Sequence, residues 1–182
     1  MKHLVAVLCL SGAAAFAETP QPEGFRGPPY QAELPAALTG ARTIDANEAQ
    51  RLHADGAAFI DVYPRQKKPQ NLPEHTVWRA EPHLTIPDAL WLYDTGYERL
   101  KASEQSRLEL GLAEASGGDF DAPLVIFCRA DCWMSWNAAK RAVALGYKQV
   151  LWFPEGTEGW EGTGGMLVPA AIYRPRAAGT KP

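Results

Sequence analysis

The stretch Leu124-Val-Ile-Phe-Cys-Arg-Ala-Asp-Cys-Trp-Met-Ser-Trp136 carries the features that decide the fold. Its first four residues, 124–127, are all apolar, which predicts a short buried strand. Cys128 stands at the carboxyl end of that strand, and residues 129–133 form a brief polar loop. From about residue 134 the pattern predicts a helix to residue 145, where a glycine follows, as is common after a helix end.

Cys128 lies between a strand end and a helix start, and that position has a chemical consequence. The first N–H groups of a helix have no intrahelical partner, and the helix dipole adds partial positive charge there. These N–H groups can cradle an anion such as a thiolate or a persulfide. We expect the pKa of Cys128 to be depressed, although the Asp131 carboxylate beside the loop opposes a second negative charge. The alternative is that Cys128 is a small buried strand residue, as free cysteines often are.

The composition is that of an ordinary globular domain. The chain has 182 residues, of which 46% are hydrophobic and 21% are charged, enough for one domain with a sizeable core. The formal net charge of -3 predicts binding neither to nucleic acid nor to an anionic membrane surface. No histidine is spaced from another, or from a cysteine, as a zinc site requires, so we expect no metal site. His75 and His83 lie in a loop-like stretch and are expected to be solvated.

Residues 1–17 are typical of a secretory signal peptide. A short positive region precedes the apolar run 4–10, and residues 15–17 give an A-x-A cleavage site. The apolar run is too short to span a membrane. Cys9 follows a leucine instead of the glycine or alanine expected of a lipoprotein signal. We therefore expect an exported, periplasmic protein without a membrane span.

Export leaves two cysteines, Cys128 and Cys132, in an oxidising compartment, where such a pair can form a disulfide. Residues four apart on a regular helix have Cβ atoms about 5–6 Å apart. A disulfide needs a Cβ separation of about 3.5–4.5 Å, so the pair closes only if the loop is irregular. In a second interpretation, Cys132 fills a pocket under the loop.

The rest of the chain divides at changes in composition. Residues 18–41, called the arm below, are rich in proline and predict an extended segment that lies across the domain, with Phe25 and Tyr30 as anchors. Residues 42–172 form the predicted domain, and residues 173–182 form a tail.

Strand and helix patterns alternate through the domain. The predicted elements are a helix capped by Asp45 and Glu48 that runs to His53, a strand over 57–63, a short strand at Val77–Trp78, a strand or turn over 86–91, a helix over 104–115 with Ser103 as N-cap, and a last strand over 149–153. This alternation predicts an α/β domain with a mainly parallel sheet and helices on both faces. Ligands of such sheets bind at the carboxyl ends of the strands, where Cys128 falls.

An ordered set of short segments resembles the rhodanese-like domain over roughly residues 42–169. The segments are Asp61-Val62, the His83 to Ala89 stretch, Val125 to Arg129, Gly146-Tyr147 and Glu155 to Trp160. The resemblance implies a single rhodanese-like domain. It also implies that Cys128 accepts a sulfane sulfur as a persulfide and passes it to a nucleophile, as in a sulfurtransferase. The loop departs from active rhodaneses, because Arg129 is its one clear cation and Asp131 opposes it.

A narrower resemblance is closer. Residues 130–141 and 154–160, with 86–92, are similar to exported proteins named for a CXXCW motif, which are associated with catabolism that depends on pyrroloquinoline quinone (PQQ). The resemblance implies an accessory to quinoprotein alcohol oxidation with a redox or cofactor-binding role, and we expect no cofactor in the protein itself. Its implied partners are a periplasmic quinoprotein dehydrogenase or cytochrome and a small sulfur donor. Three residues, instead of two, separate Cys128 from Cys132 in this chain.

The candidate site residues follow from the loop. The catalytic pair is Cys128, as nucleophile, and Cys132, as resolving thiol or disulfide partner. The loop that binds the substrate or anion comprises Arg129, Ala130, Asp131, Trp133 and Met134, and the supporting residues are Asp61 and Trp136.

Several of these residues have two interpretations. Trp133 either packs into the core or lines an apolar pocket beside Cys128, whereas Trp136 is expected in the core. Arg129 is either a substrate clamp or solvated. Asp61 either orients the loop by accepting N–H bonds or caps a turn, and the turn is the default.

Two functions are consistent with the sequence. In the first, the protein uses the cysteine loop for sulfur transfer or thiol redox chemistry as an accessory to PQQ-dependent oxidation. In the second, it is a non-catalytic binding module that holds a partner protein or a small redox cofactor through Trp133 and the loop, and the cysteines form a structural disulfide.

Overall fold

The strand that precedes Cys128 lies in the middle of a five-stranded sheet whose neighbouring strands are all parallel. The structure is a computed structural model, and it describes residues 19–175; the predicted signal peptide, the first residue of the predicted arm and residues 176–182 of the predicted tail lie outside the described residues. In chain order the elements are β1 (Arg42–Thr43), α1 (Ala46–Ala54), β2 (Ala58–Asp61), β3 (Leu84–Thr85), β4 (Leu90–Trp91), α2 (Ala102–Ala115), β5 (Leu124–Phe127), α3 (Trp133–Ala144), β6 (Val150–Phe153), α4 (Gly156–Gly162) and β7 (Val168–Pro169). The sheet order is β1-β6-β5-β2-β4, and β3 pairs antiparallel with β7.

The side chains of the central strands alternate between two hydrophobic clusters. On one face Leu124 and Ile126 of β5 pack in a cluster with residues of α2 and α3. On the other face Val125 and Phe127 pack in a cluster with residues of α1 and α4. All four side chains are fully buried, as expected for a parallel strand covered on both sides. The predicted α/β domain with a mainly parallel sheet and helices on both faces is confirmed.

Two of the helices, α1 and α2, begin where a carboxylate accepts a backbone N–H. Asp45 caps α1 as predicted, since its Oδ1 accepts a hydrogen bond from the Glu48 N–H at 2.7 Å. The predicted N-cap at Ser103 is wrong. Lys101 is the N-cap residue of α2, because the Glu104 carboxylate accepts the Lys101 N–H at 2.8 Å and starts the helix earlier. Within residues 19–175, none of the helices combines the length and apolar character needed to cross a membrane.

The segment between β2 and β4 differs from its prediction. Val77–Trp78 is not a strand; the Val77 side chain is 83% exposed, so no burial favours pairing there. The strand predicted over 57–63 ends at Asp61, where the carboxylate accepts the Tyr63 N–H at 2.8 Å and turns the chain. Residues 86–91 contain a turn followed by β4, so the predicted alternatives, a strand or a turn, are both present in that stretch.

The arm lies against α3, as expected. The Lys140 ammonium donates to the carbonyl oxygens of residues 22–24 at 2.9, 2.6 and 3.0 Å. The Arg141 guanidinium lies 3.8 Å from the centre of the Phe25 ring. The Tyr30 hydroxyl accepts a hydrogen bond at 3.1 Å from the N–H of Glu98. Phe25 and Tyr30 therefore anchor the arm.

Candidate functional site

The two cysteine sulfurs are in contact. Cys128 Sγ donates to Cys132 Sγ at 2.8 Å, and both residues are free thiols that are 1% and 4% exposed. The segment between them, with both cysteines called the Cys loop (128–132), is irregular: Asp131 has φ +53° and Cys132 is extended with φ -107° and ψ 109°. This conformation lets residues four apart approach more closely than on a regular helix. The two sulfurs are therefore close enough for a disulfide to form with little movement of the loop.

The start of α3 is directed at Cys132. Cys132 is the N-cap residue of the helix. The hydrogen bond from Cys128 lowers the pKa of the Cys132 thiol, burial opposes this, and the N–H groups of Met134 and Ser135 lower the pKa further, so the net shift is downward. Cys132 is therefore the thiol that ionises first.

Cys128 has the opposite environment. Burial raises its pKa well above the usual value for a thiol, and the hydrogen bond with Cys132 and the charges of Cys132 and Asp61 raise it further. The N–H of Arg129 lowers it only in part. The expectation of a depressed Cys128 pKa is wrong, because the helix start is aimed at the other sulfur.

The Ala130 N–H of the Cys loop already has a protein partner. The Ala130 N–H donates to Glu158 Oε2 at 2.8 Å, and Glu158 Oε1 lies 3.3 Å from Arg129 Nε. Burial raises the pKa of Glu158, but these bonds and the Thr157 hydroxyl outweigh burial and hold it below its usual value. The Arg129 side chain is 48% exposed and paired. Glu158 thus takes the place that a bound anion would occupy on the Ala130 N–H.

The arm covers the other side of the Cys loop. Gln31 forms an antiparallel bridge with Cys132, the Ala32 N–H donates to the Asp131 carbonyl at 3.1 Å, and the Gln31 side-chain amide donates to the Ala130 carbonyl at 2.7 Å. The Trp133 N–H donates to the carbonyl of Tyr30 at 2.8 Å. The sequence predicted an arm on the surface but not that it pairs with the candidate site.

The aromatic residues of the helix start belong to the core. Trp133 is 2% exposed and meets Trp136 edge-on at 5.4 Å between ring centres. The Arg26 guanidinium of the arm lies 5.6 Å from the centre of the Trp133 ring. Met134 and Trp136 are buried as well. The interpretation of Trp133 as the wall of an open pocket beside Cys128 is therefore wrong, because the arm and α3 enclose the ring.

Asp61 caps a turn, as expected, and it also holds a histidine. Its Oδ2 accepts hydrogen bonds from the Thr85 hydroxyl and from His83 Nε2, each at 2.6 Å. The expectation that His83 is solvated is wrong, since only 14% of its side chain is exposed. Its ring stacks on Tyr63 at 4.8 Å and lies 4.7 Å from the Trp91 ring. His75 is exposed, as expected.

A cavity of about 530 Å³ opens beside this histidine and is called the His83 cavity below. Its walls include aromatic rings, three cations and two carboxylates, contributed by Tyr63, Trp91, Tyr97, Arg65, Lys67, Arg129, Glu81 and Glu158. Neither cysteine is among its lining residues. In residues 19–175 no group of histidine, cysteine and acidic side chains is arranged to hold a metal ion.

Comparison with known proteins adds no family. No family model matches the chain, and no curated protein matches it. Among solved structures, an uncharacterized protein from Saccharomyces cerevisiae is similar over 68% of this chain and 92% of its own, with a TM-score of 0.38 and 16% sequence identity. At that level of similarity no functional inference follows.

Proposed function

We propose that the protein is an exported, rhodanese-like thiol redox protein whose Cys128–Cys132 pair alternates between dithiol and disulfide. The observation that carries the proposal is the 2.8 Å contact between the two sulfurs in an irregular loop. A pair in contact forms a disulfide without large movement of the chain, which is what a reversible redox couple requires.

The pKa directions assign the two thiols different steps. Cys132, whose pKa is lowered, attacks a disulfide of the oxidised partner as a thiolate, forms a mixed disulfide and releases one partner thiolate. Cys128 then loses its proton and attacks the Cys132 sulfur, which forms the Cys128–Cys132 disulfide and releases the second partner thiolate. The partner gains two electrons and the cysteine pair loses them. These roles are the reverse of those expected from the sequence, in which Cys128 was the nucleophile.

Sulfur transfer through a Cys128 persulfide has less support. A persulfide anion needs free donors around the terminal sulfur. The Ala130 N–H is bonded to Glu158, the Trp133 N–H is bonded to Tyr30, and Cys128 Sγ itself contacts Cys132. The alternative of a binding module that docks its partner through Trp133 also has less support, because that ring is enclosed.

The accessory role in PQQ-dependent alcohol oxidation belongs to the same proposal and rests on the resemblance to the CXXCW-motif proteins. In this role the redox partner is a periplasmic quinoprotein dehydrogenase or cytochrome with an exposed disulfide. The predicted signal peptide is consistent with such a compartment.

Intact-mass measurement after redox equilibration tests the proposal. Oxidised protein should be lighter by two hydrogens than reduced protein, and both Cys128→Ser and Cys132→Ser should abolish that change. Cys128→Ser should in addition accumulate a mixed disulfide on Cys132 when it is offered a small disulfide. A gain of one sulfur atom from thiosulfate or polysulfide that persists in Cys132→Ser would overturn the redox proposal and favour sulfur transfer.

A further inference from the structure

The His83 cavity is separate from the cysteine pair. It lies at the carboxyl end of β2, and the residues that line it include Arg129 and Glu158 but neither sulfur. Its volume of about 530 Å³ falls in the range of about 300–1,000 Å³ that is typical of small-molecule sites. The redox proposal leaves this cavity without a role.

Aromatic rings form one wall of the cavity. The rings of Tyr63, His83 and Trp91 follow one another, with centres 4.8 and 4.7 Å apart, and Tyr97 also lines the cavity. The wall is held in place, since Trp91 Nε1 donates to the Tyr63 carbonyl at 2.7 Å. Tyr63 and Trp91 already lie against the His83 ring, so a planar apolar body in the cavity packs against the outer rings of this stack and against Tyr97, at little cost in entropy because the stack is rigid.

The buried Asp61 carboxylate fixes the histidine in that wall. Because the carboxylate accepts, His83 Nε2 is the donor in their 2.6 Å bond. This leaves His83 Nδ1 with no hydrogen-bond partner among residues 19–175. The bond to Asp61 therefore fixes the orientation of the His83 ring and leaves Nδ1 as an unused polar atom.

The lining of the cavity contains three cations and two carboxylates, Glu81 and Glu158, and this excess of one positive charge favours an anion. Glu158 is engaged by Arg129 and by the Ala130 N–H. Arg65 and Lys67 have no carboxylate at ion-pair distance within the described part of the chain. Both cations lie on aromatic rings instead, 4.8 Å from the centre of Tyr93 and 5.3 Å from the centre of Tyr97. Held there, they can meet a carboxylate without first breaking an ion pair.

We propose that the His83 cavity binds a small organic anion with a planar aromatic body. The ligand's ring packs against the cavity's aromatic residues Tyr63, Trp91 and Tyr97, and its carboxylate lies near Arg65 and Lys67. This inference does not depend on the redox proposal, because the site contains neither cysteine.

Titration with 2-naphthoate, followed by the NMR signal of the Trp91 indole N–H, tests the proposal on the full mature chain. We expect a saturable shift, and affinity about tenfold weaker for the neutral analogue 2-naphthamide, which lacks the charge-assisted bonds. Adamantane-1-carboxylate, which has the charge but cannot stack, should also bind more weakly. The absence of a saturable shift at millimolar 2-naphthoate, or equal affinity for the acid and the amide, would overturn the proposal.

Two exposed substitutions locate the site without disturbing the core. The double variant Arg65→Gln with Lys67→Gln should weaken 2-naphthoate binding about tenfold, whereas the control Arg51→Gln, on the exposed side of α1, should bind like the unchanged protein. Cys132→Ser should also retain binding. Unchanged affinity in the double variant, or loss of affinity in Cys132→Ser, would contradict the assignment of the site.

Discussion

The Cys loop and the His83 cavity lie at the carboxyl ends of neighbouring parallel strands, β5 and β2, but they differ in access to solvent. Both cysteines are buried, Glu158 accepts the Ala130 N–H, and the arm accepts the Trp133 N–H. The cavity is open, and two of its three cations, Arg65 and Lys67, have no carboxylate at ion-pair distance in the described residues. The closed site, with two sulfurs in contact, suits the proposed thiol–disulfide exchange, and the open site suits the proposed reversible ligand binding.

The closed site depends on the close approach of α4 to the Cys loop. Gly156 has φ +54°, and a Cβ there would lie 2.3 Å from the Cys128 carbonyl oxygen. Gly156→Ala should therefore lower the free energy of unfolding by about 2–5 kcal/mol, through backbone strain and overpacking. It should also slow disulfide formation, because the loop must move away. Chemical denaturation and a thiol assay measure the two effects.

Gly56→Ala is the matched control for that prediction. Gly56 also has a positive φ, +82°, but nothing lies within 4 Å of the position of its Cβ. Gly56→Ala should lower the free energy of unfolding by about 1–2 kcal/mol, through the backbone conformation alone, and the disulfide should form normally. An equal decrease in the free energy of unfolding in the two variants would show that the contact between α4 and the Cys loop does not contribute to stability.

Asp61 links the two regions, since its carboxylate holds His83 and raises the pKa of Cys128. Asp61→Asn should lower the Cys128 pKa, because a negative charge is removed, and should cost about 1–3 kcal/mol of stability through weakened buried hydrogen bonds. Thiolate absorbance as a function of pH, measured in a Cys132→Ser background, reports the first effect.

Asp131→Asn serves as the control for Asp61. Asp131 is exposed and has φ +53°, a conformation that asparagine adopts readily. This change should leave the Cys128 pKa and the stability nearly unchanged. A shift as large as that of Asp61→Asn would mean that loop charge in general, and not the buried carboxylate, sets the pKa.

A substitution in the arm should have a smaller effect than those at Gly156 and Asp61. Ala32→Pro removes the N–H that donates to the Asp131 carbonyl. The free energy that holds the arm on the Cys loop should fall by about 1 kcal/mol, so the arm opens more often and the rate of Cys132 alkylation rises about fivefold. Ala36→Pro, elsewhere in the arm, should not change the rate. Equal rates in Ala32→Pro and the unchanged protein would contradict a covering role for the arm.

Much of the fold follows from local sequence patterns. The apolar run before Cys128, the Asp45 cap and the glycine after α3 are signals that a few neighbouring residues carry, and the structure has the corresponding elements. The predicted N-cap at Ser103 and the predicted strand at Val77–Trp78 were wrong because contacts outside the local pattern decide both positions. A nearby carboxylate decides where α2 starts, and the absence of burial decides that the second stretch is not a strand.

The site was harder to predict than the fold. Cys132, and not Cys128, lies at the start of α3 in a loop where Asp131 has a positive φ. The spacing of the two cysteines does not predict this backbone conformation. His83 and Asp61 are far apart in the chain, and the loop around His83 has no periodic pattern. The pairing of Gln31 with Cys132 is an isolated bridge, which leaves no signature in the arm sequence.

The most direct test of the central claim is to identify which cysteine of the reduced protein reacts first. The protein is treated with a limiting amount of iodoacetamide at neutral pH, and the modified peptides are identified by mass spectrometry. Because the pKa is lowered at Cys132 and raised at Cys128, we predict that Cys132 is alkylated first and that its reaction persists to lower pH than that of a free thiol. Alkylation of Cys128 first would contradict the assignment of Cys132 as the attacking thiol of the redox pair.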